Sequence, residues 1–195
     1  MSEIFPMNPE AVRLAETLTF AESGGGPFLL LSESAITAWH GVEDASGAFI
    51  YESRPCDYDR ACKADGHSLI TVGNTQAFVL EAPDSSAFIP EPDGALIVRW
   101  IEADEAELLL TAALSTSEED FELLGVTVPH DGSRLRLFDS ATPGRRVAAR
   151  GEVAAIELPA GRYSVAELGE SVVNVKDAKG TVHEVVLQAL RLRRV

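Results

Sequence analysis

His67-Ser68-Leu69-Ile70-Thr71-Val72, then Gly73-Asn74, then Thr75-Gln76-Ala77-Phe78-Val79-Leu80: two apolar runs rich in β-branched residues, parted by turn formers, read as successive strands. Ala95 to Ile101, entered through Pro92-Asp93-Gly94, reads as a third. Upstream, Phe28 to Leu31 is a short apolar run that suits a buried strand. Downstream, Phe121 to Val128, Ser133 to Phe138, Glu152 to Leu158, Arg162 to Leu168 and Thr181 to Leu192 are all strand-like. Leu135 and Leu137 alternate with Arg134 and Arg136, and Leu190 and Leu192 with Arg191 and Arg193, which predicts apolar inner and basic outer faces.

Helical signals are few. Asn8 is a good N-cap, Pro9 fits the first helical position, and Glu10 suits the positive end of a helix dipole. Ser23-Gly24-Gly25-Gly26-Pro27 is a break, and Ser32 to Trp39 is open between a helical turn and a strand. Residues 43–55 read as a loop, followed by a short helix from Asp57 to Lys63 with Asp57 as its cap. Asp104 to Leu114 is the clearest helix, with Asp104 as cap, Glu105 and Glu107 in its first turn, and an Ala/Leu-rich body.

These elements predict a mostly β (α+β) fold of two tandem β-sandwich-like halves with a few short helices. Ser117-Glu118-Glu119-Asp120 marks the expected boundary, giving an acidic half at 1–116 and a second half at 117–195, either separate or joined as one continuous unit. A weak internal parallel agrees: Phe78-Val79-Leu80-Glu81-Ala82-Pro83 is matched by Leu137-Phe138-Asp139-Ser140-Ala141-Thr142-Pro143, and Pro92-Asp93-Gly94 by Pro159-Ala160-Gly161.

Charge bounds the function. The 195 residues carry 31 acids against 16 bases, a net of −15. Residues 1–122 hold −18 of it and residues 123–195 hold +3. Such a field repels nucleic acid and anionic membranes and attracts basic partners. The first ten residues lack Lys, Arg and an apolar stretch, so no signal peptide is expected. No apolar run approaches the roughly 20 residues of a membrane helix. A cytoplasmic protein is expected.

Catalytic signatures are not evident: there is no nucleophile elbow, no phosphate loop and no His-Glu-x-x-His. His40, His67, His130 and His183 are scattered. Cys56 and Cys62 are too few for a disulfide framework and lack zinc spacing, which leaves them as buried or idle thiols. No cofactor, metal or catalytic residue is expected. Trp39 beside Glu43 and Asp44, Tyr51, and Tyr58 between Asp57 and Asp59 instead place aromatics among acids, the composition of a binding hot spot. Trp39 also suits an anchored core residue.

Several of these stretches resemble one family. Gly25-Gly26-Pro27-Phe28-Leu29-Leu30-Leu31 with Ile36-Thr37-Ala38-Trp39-His40-Gly41, then Asp57-Tyr58-Asp59-Arg60-Ala61-Cys62, Val72 to Leu80, and Leu96-Ile97-Val98-Arg99-Trp100 are similar, in order and spacing over about residues 24–114, to the immunity protein 21 family. The second half resembles a β-module of nuclease-inhibitor proteins of bacterial competence systems. The first resemblance implies a bacterial protein that neutralises a cognate secreted polymorphic toxin, and supplies no catalytic residues. A basic nuclease is the expected target, because nucleases hold phosphates. The expected partner surface comprises Trp39, Glu43, Asp44, Tyr51, Asp57, Tyr58, Asp59 and Asp65, helped by Asp104, Glu105 and Glu107. A carboxylate-based hydrolase and a non-catalytic scaffold are the alternatives.

Overall fold

Phe28–Ser32 (β2) is buried at every position, without alternation, so both of its faces must be covered. In the computed structural model, which describes residues 3–81, 85–150 and 153–195, it is the central strand of a sheet. On one side it pairs antiparallel with Thr75–Leu80 (β4), which pairs in turn with Ser68–Val72 (β3). On the other it pairs with Arg134–Asp139 (β8), followed by Ala154–Glu157 (β9).

The second sheet is built around the hairpin of Gly161–Lys176 (β10) and Val182–Arg194 (β11). Gly94–Glu102 (β6) adds to β11, and Ser86–Glu91 (β5) adds to β6. Glu122–His130 (β7) and the short parallel Ile4–Pro6 (β1) both pair with β10, at different ends of it. Each sheet therefore takes strands from both sides of residue 117: β2 bonds to β8 in one, and β6 to β11 in the other.

The sheets face each other across a core that includes Phe28, Leu30, Phe78 and Leu137 from the first and Ile97, Tyr163, Val165 and Leu190 from the second. Their outer faces are covered in different ways. Pro9–Ala15 (α1) and Ala106–Leu114 (α3) pack on the β10–β11 sheet, with Leu108 to Ala113 buried against Val98, Val185 and Leu187. A 3-10 turn at Glu33–Ala38, Asp57–Cys62 (α2) and Gly144–Ala149 (α4) cover the β2 sheet, around Leu29, Leu31, Trp39, Val79 and Phe138. The result is four layers, mostly β with short helices, as the strand pattern predicts.

Local expectations mostly survive. Asn8 caps α1, its side chain accepting from the Glu10 amide at 2.9 Å. Two caps are corrected. The residue before α2 is Cys56, and Asp57 is already helical; the residue before α3 is Glu105, and it makes no side-chain cap bond. Asp104 lies one residue too early, because its carboxylate is turned to His183. Arg136 is corrected too: it does not lie on an open basic face but is 6 % exposed, beneath the layer that carries Glu33. Glu152 and Ala82-Pro83, at the start of one expected strand and in the internal parallel, lie outside the described residues.

Candidate functional site

The loop between the 3-10 turn and α2 crosses the outer face of the β2 sheet and is tied down at both ends. The Val42 amide donates to Ala141 O (3.1 Å), the Ile50 amide to Val42 O (3.0 Å) and the Tyr58 amide to Gly41 O (3.1 Å). Its main anchor is Glu43, which is 4 % exposed and bonded to both Arg145 and Arg146 of α4. Asp44 organises the next turn, accepting from the Ser46 amide (2.9 Å) and hydroxyl (2.6 Å) and the Ala48 amide (3.1 Å). The Ser46 hydroxyl first and the Ala48 amide next hold its carboxyl down to about 2, so it is fully ionised at neutral pH.

This bracing presents aromatics. Phe49 is 69 % exposed; its ring meets Tyr51 edge-on at 6.5 Å, and Tyr51 meets Tyr58 at 5.4 Å. Tyr58 lies against Gly26, where a Cβ would fall 2.5 Å from its hydroxyl, so Gly26 makes room for the ring. The Tyr58 hydroxyl is pushed up to about 12, first by hydrogen bonding with the Cys62 thiol and then by burial, and stays a neutral donor. Beside the trio, Glu52 holds a positive φ of 69° without being glycine. Backbone strain of that kind clusters at functional surfaces.

The expected partner residues divide sharply. Trp39 is fully buried and donates its indole N–H to Ser140 O at 2.8 Å, so it is a core anchor of the outer layer. Glu43 is buried as described. Asp57 accepts from the His40 amide (2.9 Å) and Arg60 (2.8 Å), and Asp59 accepts from the Cys56 amide (2.8 Å), which lowers its pKa. Tyr51, Tyr58 and the exposed Asp65 remain at the surface of this layer. Asp104, Glu105 and Glu107 belong to the layer over the other sheet, so the full thickness of the sandwich separates them from residues 39–65.

Two features escape the sequence reading. Phe49 follows the small residues Ala45 to Ala48 in a loop that periodicity passes over. Arg145 and Arg146 lie on α4, whose start at Pro143-Gly144 was the available signal. The charge is also placed differently than expected. On the 40–66 face Arg54, Arg60, Arg145 and Arg146 pair with Asp44, Asp57 and Glu43, whereas residues 100–122 carry eight acids and no Lys or Arg.

The Ser32 hydroxyl and His130 Nδ1 are 3.0 Å apart, but both residues are buried and Nε2 is bonded to Leu158 O (3.1 Å), so the pair is a structural tie between strands. Among the described residues, no three His, Cys, Asp or Glu side chains gather as a metal site, and no helix is long and apolar enough to cross a membrane.

The braced loop thus holds the exposed Phe49 with the half-buried Tyr51 and Tyr58 on the outer face of the β2 sheet, and loops held by a rigid scaffold are where binding residues concentrate. A model of the family described as immunity protein 21 matches residues 19–176, and the chain belongs to that family. The match runs well past the stretch of resemblance near residues 24–114, through β7, β8 and β9 to the end of β10. The family implies an immunity protein directed at a toxin. No curated protein and no solved structure matches the chain.

Proposed function

We propose that this protein neutralises its cognate toxin by setting the loop of residues 40–56 over the toxin's active cleft, with Phe49, Tyr51 and Tyr58 as anchors. The observation that carries this reading is Phe49: a large apolar ring 69 % exposed, on a loop pinned through the buried Glu43 carboxylate to Arg145 and Arg146. A monomer gains nothing by holding an aromatic in water on a rigid support, whereas an interface gains a preorganised hot spot. Glu52 and Asp65 supply an acidic rim.

The target we favour is a basic enzyme, a nuclease by preference. The acids of residues 100–122, of which Asp104 pairs with His183 and Glu118 with Arg193, support it through the net field they generate and not through contact, since they lie on the opposite layer. They would speed encounter with a cationic partner, while the aromatic face would set the lifetime of the complex.

The test is binding to the toxin encoded beside this protein's gene, by surface plasmon resonance at low and moderate salt. Phe49→Ala and Tyr51→Ala are expected to raise koff. Changing Glu105 and Glu107 to Gln is expected to lower kon at low salt and leave koff alone. Full-affinity binding by the Phe49→Ala, Tyr51→Ala double variant would overturn the assignment of the face. Salt-independent kon would overturn the electrostatic part.

A further inference from the structure

Arg136 projects from β8 on the side opposite Leu135 and Leu137, which enter the inter-sheet core. It is 6 % exposed. One terminal nitrogen donates to Glu33 Oε1 at 2.7 Å, and its Nε has no acceptor among the described residues. A buried charged donor without a protein acceptor is costly and calls for a partner: a water, an ion or a ligand.

A cavity of about 340 Å³ lies beside it, bounded by Arg134, Arg136, Thr17, Thr19, Phe88 and Ala155. That volume is at the small end of the range for ligand sites, about 300–1,000 Å³. The register explains the space. Ala155 stands opposite Arg136 across the β8–β9 ladder, and its methyl group leaves open what a longer side chain would fill. Arg134, two residues along on the same face, is half-exposed and pairs with Glu157 at 3.2 Å. Two guanidinium groups and the Glu157 carboxylate thus line the cavity wall, while Glu33 pairs with Arg136 from outside it. Phe88 and Ala155 add apolar walls, which strengthen electrostatic attraction within. The Thr17 hydroxyl is turned to the Arg13 and Leu14 carbonyls, which leaves Thr19 as the hydroxyl donor available to a guest.

We propose that this cavity binds an oxyanion, the phosphate or carboxylate group of a small molecule, on Arg136 and Arg134 with Thr19 as a further donor. Guanidinium forks suit such groups because two parallel N–H bonds match two oxygens. The site stands apart from the aromatic face and does not depend on the toxin reading.

The experiment uses the full chain with sodium phosphate and sodium acetate as probes, against sodium chloride at equal ionic strength. Thermal unfolding is expected to shift upward by about 3–6 °C at ten times the Kd of the anion that binds. The Arg136 Nε–H resonance is expected to move along the same titration. Arg134→Gln, at a half-exposed position that should not disturb folding, is expected to weaken binding about tenfold or more. A shift with phosphate alone names a phosphoryl guest, and a shift with acetate alone a carboxylate; either supports the site. The proposal is overturned if neither anion stabilises beyond chloride, if the Nε–H resonance stays fixed while stability rises, or if Arg134→Gln binds as tightly as the wild type.

Discussion

Glu43→Gln is the most informative perturbation because the ion pair it breaks is lopsided. The carboxylate is 4 % exposed, whereas the side chains of Arg145 and Arg146 are 52 % and 57 % exposed. Removing the charge of Glu43 releases two guanidinium groups that water can solvate at once, so two charge-assisted bonds are lost at a discount, about 2 kcal/mol in all. For a chain of this size that lowers Tm by about 4–8 °C. Removing both arginines as alanines leaves a buried carboxylate unpaired, and the cost rises to about 3–5 kcal/mol. Adding Glu43→Gln to that double variant should then restore stability, since it removes the stranded charge. Urea denaturation of the four proteins, with m-values compared, measures the cycle. The reasoning fails if Glu43→Gln costs as much as the loss of both arginines, or if the triple variant is less stable than the double. Glu43→Gln should also weaken toxin binding, because the loop that carries Phe49 loses its anchor.

Phe49→Ala should change stability by no more than about 0.5 kcal/mol while costing about 2 kcal/mol of toxin affinity, measured by urea titration and plasmon resonance together. Trp39→Ala should do the reverse through the cavity it leaves, losing about 3–5 kcal/mol of stability. Gly144→Ala would place a Cβ 1.6 Å from Ile36 O and should lower Tm sharply in a circular-dichroism melt, because backbone and not a flexible side chain must yield. His183 is bonded to Asp104 (3.0 Å) and Asp177 (3.2 Å), Asp104 first among the causes that raise its pKa. A raised folded pKa means its contribution is full below about pH 6.5 and is lost as pH rises through the folded value. The stability gap between wild type and His183→Gln should therefore shrink from pH 6 to pH 9, and an NMR titration should place the His183 midpoint above 6.5.

What could be read from the sequence was local. Phe28–Ser32, Thr75–Leu80 and the Asn8 cap follow from composition over a few residues, and each is found where expected. β5 was passed over because Pro90 weakens any strand pattern; it is tolerated on an edge strand, where the missing N–H breaks no ladder. For α4, Pro143 signals a helix start, but Gly144 beside it reads as a breaker; it is required where that start meets the Ile36 and Trp39 carbonyls. Arg136 looked like a surface residue because alternation tells which side of a strand a residue takes, not whether another layer covers that side. For the same reason the acids of residues 39–65 and 104–107 could not be told apart: their charge is visible in the sequence, but their partners and their layer depend on pairings between distant strands. Trp39 turned on a single carbonyl, Ser140 O, contributed from far along the chain.

Those distant pairings also set a clock. Gly94 of β6 meets Arg193 of β11, and Phe28 of β2 meets Asp139 of β8, so neither sheet can close until late strands exist. At typical rates of synthesis, roughly 5–20 s separate the emergence of β6 from that of β11. For the first part of that interval, until β8 emerges, the buried β2 has a neighbour on one side only. Folding dominated by such non-local pairing runs on the scale of milliseconds to seconds. A cell that relies on this protein is therefore protected by molecules finished earlier and not by those still being made, and a standing pool is the safer form of defence.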